Sequence, residues 1–399
     1  MSEVVRRLRS FVFNVLVATL DTVTLALMPA GKPRQRILIV RLDSIGDFVL
    51  WLDGAKRLVA HYRRLGCEVA LAGNQAWAAW ARAMELADDV WEIDPRRFRR
   101  SFGYRRQWMR RARSAGFSVA IQPTYSRLFL EGDSLVRFTG ARDRIGSIGD
   151  TSNVPSSLKS WGDRWYTRLV PAAPERTMEI QRNAEFMRAI GFADFQARMP
   201  EIPQAAGAPV NRAPHTAYAV LFFAANWEGR EWPSDHFIEV GRRLSSRGLQ
   251  LVLAGAAADR DRADRMATAL GPLAVNLAGR TTLAELAELL RGADIVVTNE
   301  TASVHIGAAV GAPVVCVLGG GHYGRFAPYD LSHEDARPTP VFVFTMMECY
   351  GCGWHCVYPR KAGEPVRCIQ DVSVEQVWAA VASVLKRPTG ARAPLTPRP

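Results

Sequence analysis

An α/β fold of two Rossmann-like halves is predicted for this chain of 399 residues, on three observations. From Arg36 onward, short apolar runs alternate with amphipathic helical stretches, the pattern of a parallel sheet. The alternation is broken by a proline- and alanine-rich run, Met199 to Pro214, and then starts again, in a chain too long for one ordinary core. The clearest single unit is Asp294 to Gly321, DIVVTNETASVHIGAAVGAPVVCVLGGG. It reads as buried strand, polar turn, small-residue helix, second strand and glycine turn.

Residues 1–35 stand apart as a basic and apolar segment. Phe11 to Met28 is mostly apolar but holds Asn14 and Asp21, so a transmembrane span would be short and costly, and no signal-peptide cleavage pattern follows it. A helix lying on the cytoplasmic leaflet, held by apolar residues and by Arg6, Arg7 and Arg9, is the preferred expectation; the simpler alternative is a helix packed on the body. Arg36 to Arg41 (RILIVR) is a buried strand, followed by the turn LDSIG and a helix from about Asp47 to Arg64. Val69 to Ala72, Asp89 to Ile93 and Ser118 to Gln122 are further strands. A polar stretch of low periodicity, Gly146 to Thr167, breaks the pattern before a helix over Arg176 to Ile190. In the second block the expected order is strand Ala217–Phe223, helix Asp235–Arg247, strand Gln250–Ala254 and helices Arg260–Leu270 and Thr282–Arg291. Strand Asp294–Thr298, helix Ala302–Val310 and strand Val314–Leu318 complete it. The domains are expected at 36–205 and 206–385, with a flexible tail at 386–399 and the active site in the cleft between the halves, beyond the carboxyl ends of the strands.

A net charge of +12 and a pI near 9.8 point to an acidic partner: nucleic acid, an anionic membrane surface or a phosphorylated substrate. Nine arginines between Arg96 and Arg113 alternate with Phe98, Phe102, Tyr104 and Trp108. That interleaving suits single strands of nucleic acid, but no nucleic-acid module signature accompanies it, so no nucleic acid is expected and phosphate on a lipid or its glycan is favoured over a merely solvated face. Six cysteines in this length suggest no disulfide framework and fit a reducing cytoplasm. Four of them, Cys349, Cys352, Cys356 and Cys368, have spacing compatible with a structural zinc or iron site; free buried cysteines are the alternative.

The helix opening at Thr301, Ala302 and Ser303 would turn its unpaired N–H groups and positive dipole end toward an anionic ligand, with His305 one turn further as a phosphate donor. Glu300, just before it, suits a ribose or sugar hydroxyl. The segment FFAANWEGREWPSDHF puts Asn226, Glu228 and Arg230 in a loop after the first strand of the second half, where Arg230 could grip a diphosphate or serve only as a surface ion pair. Asp47 closes the RLDSIGD turn, either as a helix cap or as a general base for an acceptor hydroxyl, with Asp43 its competitor. Ser44, Gly46, Gly320 and His322 are expected as further cleft contacts, Gly320 and His322 within the flexible turn GGGHYGRFAPY. No P-loop occurs, which removes P-loop NTPases, and no G-x-G-x-x-G fingerprint follows the first strand, where LDSIGD holds only Gly46, which leaves hydride chemistry little support. The Asp259–Asp261 triplet lies among arginines and reads as a solvated face.

Taken together, RILIVRLDSIGDFVLWL, NWEGREWP, DIVVTNETASVHIGAAVGAPVV and the late cysteines ahead of SVEQVWAAV resemble glycosyltransferase family 9, the lipopolysaccharide heptosyltransferases, over roughly Arg36 to Leu385. The resemblance implies a GT-B fold, a nucleotide-sugar donor such as ADP-heptose in the second half, an acceptor in the first, and inversion at the anomeric carbon with no cofactor for catalysis. It also implies that Asp47 is the general base. The basic residue before the family's W-P pair is usually lysine and is Arg230 here. Its D-T-G-x-x-H signature becomes Glu300, Thr301, Ala302, Ser303, Val304 and His305, which leaves room for a donor other than heptose. The expected activity is sugar transfer to a lipopolysaccharide or other cell-surface polysaccharide acceptor, peripheral to the cytoplasmic face of the inner membrane. A non-catalytic nucleotide-sugar or nucleic-acid binding protein and a nucleotide-sugar epimerase are the alternatives.

Overall fold

Two sheets of six parallel strands, each in its own compact unit, organise the computed structural model, which describes residues 3–204, 214, 216–331 and 339–386. The units are Met1–Ala197 and Arg198–Pro399. The expected tail beyond Lys386, and 205–213 of the expected linker, lie outside the described residues.

Unit 1 runs α1 (Glu3–Ala26), β1 (Arg36–Arg41), α2 (Ile45–Arg64), β2 (Glu68–Asn74), α3 (Ala78–Ala83), β3 (Asp89–Ile93), α4 (Pro95–Arg100), α5 (Phe102–Ser114) and β4 (Val119–Gln122). A π-helical turn, Phe129–Asp133, leads into α6 (Ser134–Thr139), β5 (Asp143–Ser147), α7 (Ser156–Asp163), β6 (Arg168–Val170) and α8 (Glu179–Ala189). The strand order is β3-β2-β1-β4-β5-β6. Ile37, Leu38, Ile39 and Val40 are fully buried, because helices cover both faces of a parallel sheet and its central strands must be apolar throughout.

The polar stretch that breaks the sequence pattern is folded. β5, α7 and β6 occupy Gly146 to Thr167 and its flanks, around a buried network that no apolar periodicity announces. Asp133 accepts from Arg127 at 3.0 Å and from the Tyr166 hydroxyl at 2.7 Å, Tyr166 also reaches Gln122, and Arg127 pairs with Asp163. The arginine-rich stretch forms α4 and α5, with Asp94 capping the first by accepting from Arg96 and Arg97 N–H at 2.9 and 3.0 Å. Its aromatic residues are mostly committed to the core: Phe98 and Trp108 are buried and only Phe102 is widely exposed.

Unit 2 runs β7 (Tyr218–Phe222), α9 (Ser234–Ser245), β8 (Gln250–Ala254), α10 (Arg260–Leu270), β9 (Ala274–Asn276), α11 (Leu283–Gly292), β10 (Ile295–Asn299), α12 (Ala302–Ala309), β11 (Val314–Val317), β12 (Val341–Val343), α13 (Arg367–Gln370) and α14 (Val374–Lys386). Its order, β12-β11-β10-β7-β8-β9, repeats that of unit 1 when its strands are counted from β7. α11 opens on a capping box, in which Glu285 N–H donates to Thr282 Oγ1 at 3.2 Å and Thr282 N–H donates to Glu285 Oε2 at 2.7 Å. The first part of the expected linker belongs to this unit. Met199 and Ile202 are buried, and Ile202 N–H donates to Ala309 O at 3.1 Å.

Candidate active site

In both sheets the strand order turns back at one pair of neighbours, β1/β4 and β7/β10, and ligands of open α/β sheets bind beyond the carboxyl ends of strands at such points. The chain after β1 is Leu42 to Gly46, after β7 Phe223 to Arg230, and after β10 Glu300 and Thr301. Most of the expected site residues therefore lie where the topology places a ligand.

At the end of β1, Asp47 sits in the first turn of α2 and its Oδ2 accepts from the Ser44 N–H at 3.2 Å, so the capping contact exists. Ser44 is the exposed N-cap and Gly46 is half-buried beside it. Asp43 is already engaged: Arg41 Nε approaches its two oxygens at 3.1 and 2.9 Å, and Thr124 Oγ1 donates to Oδ2 at 3.4 Å. Burial pushes Asp43 up to about 7 against the pull of Arg41, with the negative charges of Asp47 and Glu179 adding to the rise. Arg41 is the residue that sequence reasoning missed. It is fully buried, donates to Asn183 Oδ1 at 3.1 Å and Glu179 Oε1 at 3.3 Å, and stacks over Trp51. A charged residue closing an apolar strand was the available signal; nothing in the spacing connected it to α8, 138 residues away.

At the β7/β10 point, Arg230 donates through Nη2 to the Glu300 carbonyl oxygen at 2.6 Å and through Nη1 to Asn226 Oδ1 at 3.5 Å, while Asn226 itself is exposed. Its guanidinium lies 4.8 Å from the Trp354 ring centroid. Glu300 is 4% exposed; its Oε2 lies 3.6 Å from Arg230 Nη2, too far for a hydrogen bond, and has no hydrogen-bond partner, while Arg230 Nε is likewise buried and unpaired. Burial pushes the Glu300 carboxyl up to about 7, outweighing the lowering by Arg230. A buried carboxylate oxygen and a buried guanidinium N–H without partners are the groups a polar ligand would satisfy.

Thr301 is the N-cap of α12, and its hydroxyl and that of Thr298 both bond to Ser303 Oγ, at 2.7 and 2.5 Å. The Ser303 side chain is thereby committed to the strand-to-helix turn. Ala302 opens the helix with no side chain to obstruct it. His305 is buried, its Nδ1 2.6 Å from the Tyr329 hydroxyl. Burial, then Arg230, lowers it to about 3, so the ring is neutral. Tyr329 carried no signal of its own.

The glycine turn differs from expectation. Gly319, Gly320 and Gly321 are buried under the segment that carries the cysteines: a Cβ on Gly320 would meet the Tyr350 ring at 2.6 Å and one on Gly321 would collide with the Trp354 ring. His322 Nδ1 accepts from Trp354 Nε1 at 3.2 Å. Trp354 itself holds φ at 66°, a left-handed conformation that costs a non-glycine residue about 1–2 kcal/mol and tends to persist where surroundings impose it.

The expected metal site is not assembled. Among the described residues no three His, Cys, Asp or Glu side chains are arranged to hold an ion. The four thiols share a neighbourhood, since Cys349, Cys352 and Cys356 add to the burial that raises the Cys368 thiol; but Cys368 is buried, with Gly320 N–H donating to its Sγ at 3.3 Å, while Cys356 faces solvent. The Asp259–Asp261 triplet holds no clamp either: Asp259 accepts from Ala256 N–H at 2.8 Å and Asp261 is exposed.

Twofold use of the Rossmann strand order, with charged and polar side chains gathered at each switch point, defines an α/β protein of the GT-B class. The chain belongs to glycosyltransferase family 9 (heptosyltransferase), whose family model matches residues 132–337. Lipopolysaccharide heptosyltransferase 1 of Pseudomonas aeruginosa is 27% identical over 310 residues, 73% of this chain and 82% of that protein. Among solved structures, E. coli ADP-heptose LPS heptosyltransferase II aligns with a TM-score of 0.63 at 17% identity, covering 88% of this chain and 98% of that one. An E. coli heptosyltransferase bound to ADP-2-deoxy-2-fluoro heptose aligns with a TM-score of 0.61 at 19% identity, covering 87% and 99%.

Proposed function

We propose that this family 9 glycosyltransferase transfers heptose from ADP-heptose to a lipopolysaccharide or other cell-surface polysaccharide acceptor, with inversion, working peripherally at the cytoplasmic face of the inner membrane. The observation that carries the reading is the β7/β10 half-site, where a cation, a helix amino terminus and an unpaired buried carboxylate oxygen meet. Arg230 and the N–H groups at the start of α12 bind the donor diphosphate, and His305, neutral, donates to it through Nε2 when Tyr329 donates to Nδ1. Glu300 Oε2 accepts from a donor hydroxyl. Asn226, Thr301, Ala302 and Ser303 shape the same pocket.

In the transfer, Asp47 takes the proton of the acceptor hydroxyl as its oxygen bonds to the anomeric carbon, and the bond from that carbon to the diphosphate oxygen breaks. The leaving electron pair becomes charge on the diphosphate, where Arg230 and the α12 dipole stabilise it. Asp43 is the weaker candidate for the base because Arg41 and Thr124 already occupy its oxygens. Arg41, itself fixed by Glu179 and Asn183, holds Asp43 in place.

The test is a thermal-shift panel followed by transfer assays. ADP or ADP-heptose at about 100 times its dissociation constant should stabilise the protein by roughly 2.7 kcal/mol. A response confined to UDP, GDP or dTDP species would keep the reaction and replace the donor. Asp47→Asn should lower transfer by about 10²–10⁴-fold with ADP binding unchanged; unaltered transfer would remove Asp47 from its role. A structural zinc or iron held by Cys349, Cys352, Cys356 and Cys368 is proposed on donor chemistry and shared neighbourhood alone. Elemental analysis of purified protein, with and without Cys349→Ser, decides it: stoichiometric metal lost in the variant supports the set, and metal-free wild type ends it.

A further inference from the structure

Helix α1 has its polarity inverted for a helix facing water. Leu8, Val12, Leu16, Leu20, Val23 and Leu27 recur every three or four residues and form one stripe, and all are exposed, Leu8 by 61% and Leu27 by 80%. The opposite stripe, Asn14, Ala18, Asp21, Leu25 and Met28, is turned into unit 1. There Asp21, 1% exposed, accepts from Arg105 Nε at 2.9 Å and from Nη2 at 2.5 Å, and Arg105 donates further to the carbonyls of Phe98 and Leu130. The carboxylate in the apolar part of the helix, Asp21, is thus inside the protein. The same bond ties α1 along the body of unit 1, although its length and composition would allow it to cross a membrane.

Beside the end of this stripe, Leu27 and Met28 meet Phe102, Arg106, Arg110 and Arg113 of α5 around an open crevice of about 610 Å³. α5 carries no carboxylate. Arg97, Arg99, Arg105 and Arg111 in the same stretch are engaged by Tyr104, Glu131, Asp21 and Asp89. Arg106 and Arg110, by contrast, are exposed and have no partner among the described residues. Two unpaired guanidiniums next to the exposed Leu27 and Phe102 side chains and the half-buried Met28 match the boundary between lipid phosphate and acyl chain.

We propose that the α1 stripe and this crevice form one docking surface for an anionic phospholipid leaflet, in which α1 lies along the headgroup boundary and Arg106 and Arg110 hold a headgroup phosphodiester. The inference rests on the membrane-peripheral part of the proposed function and adds the residues and the headgroup chemistry. Each arginine contributes about fivefold to binding an anionic surface, an effect screened by salt.

The experiment is co-sedimentation of the full chain with phosphatidylcholine vesicles, with and without phosphatidylglycerol, alongside heptosyl transfer to a soluble, deacylated acceptor. Arg106→Glu/Arg110→Glu should lose at least about 25-fold of the phosphatidylglycerol-dependent binding, and Leu16→Ser/Leu20→Ser should weaken binding to both vesicle types. The reversal Arg242→Glu/Arg265→Glu in unit 2, matched in charge, should change neither. Transfer to the soluble acceptor should be unaltered in Arg106→Glu/Arg110→Glu. Equal binding to the two vesicle types by wild type, or an undiminished Arg106→Glu/Arg110→Glu variant, overturns the proposal. Loss of soluble-acceptor transfer also overturns it, because the arginines would then serve the acceptor. Absence of transfer in wild type with lipid binding intact would count against the proposed donor or acceptor and leave the docking surface standing.

Discussion

Glu300 and Trp354 are single residues of unit 2 held in settings that cost stability, one by burial of its carboxyl and one by a left-handed backbone. The Glu300 carboxyl is raised in the folded state from an ordinary value of 4.5 to about 7. A raised carboxyl favours the folded state fully below the unfolded value, and that contribution is lost as pH rises through the folded value. Between pH 4.5 and about 7, wild type should therefore lose stability on the order of 3 kcal/mol relative to Glu300→Gln, which has no proton to give up. Urea unfolding of both proteins at pH 5 and pH 8 checks this, and parallel pH profiles would refute it. Trp354→Ala removes the ring under the Arg230 guanidinium, a stacking contact worth about 1 kcal/mol. ADP affinity should fall roughly fivefold in titration calorimetry.

Helix α1 and helix α12 owe their settings to different terms. α12 is positioned by the sheet: β10 delivers Asn299, whose side chain donates to Phe223 O at 2.7 Å and accepts from Trp232 N–H at 2.9 Å, so the ends of β7 and β10 and the start of α9 are locked together. α1 is held by the buried Asp21–Arg105 pair together with apolar packing of Ala18 and Leu25 and a hydrogen bond from Arg137 to Thr22 Oγ1 at 2.8 Å. Removing one partner of such a pair leaves the other charge unsatisfied, so Asp21→Ala should destabilise unit 1 by about 3–5 kcal/mol, whereas Asp21→Leu with Arg105→Met should cost much less. Denaturant midpoints of the three proteins decide whether this bond or apolar packing holds the helix. If the double variant is no better than the single one, the carbonyl bonds of Arg105 carry the stability.

At the scale of the whole molecule, the proposed roles of Asp47 and Arg230 fall in separately cored units, so their contributions should separate. Arg230→Ala removes a charge-assisted contact of about 2 kcal/mol and should weaken ADP binding roughly 30-fold, while Asp47→Asn should leave the ADP-induced rise in melting temperature intact and lower transfer by about 10²–10⁴-fold. A panel in which both variants lose the ADP response equally would contradict the division of labour between units. The net charge of +12 is also divided by role: arginines such as Arg41, Arg105 and Arg127 are buried structural ions, and only the exposed remainder is available to phosphate.

Sequence alone determined the α/β class, the two halves and most strands of both sheets, because buried parallel strands must be apolar without interruption and helices must be amphipathic, and both periods are local. It also put Asp47, Arg230, Glu300 and His305 beside strand ends and in helix starts, where the structure has them, since both can be read from the same pattern. β5, α7 and β6 escaped it because their interior is a polar network whose members, Gln122, Arg127, Asp133 and Tyr166, are distant in the chain and have no period. Only the tertiary structure decided that Arg41 is a buried hub, that Trp354 covers the glycine turn and Arg230, and that Asp21 faces Arg105 while leucines face outward. Each of these depends on which side chains meet across long stretches of chain, and a partner supplied from so far away leaves no mark on the local pattern of residues.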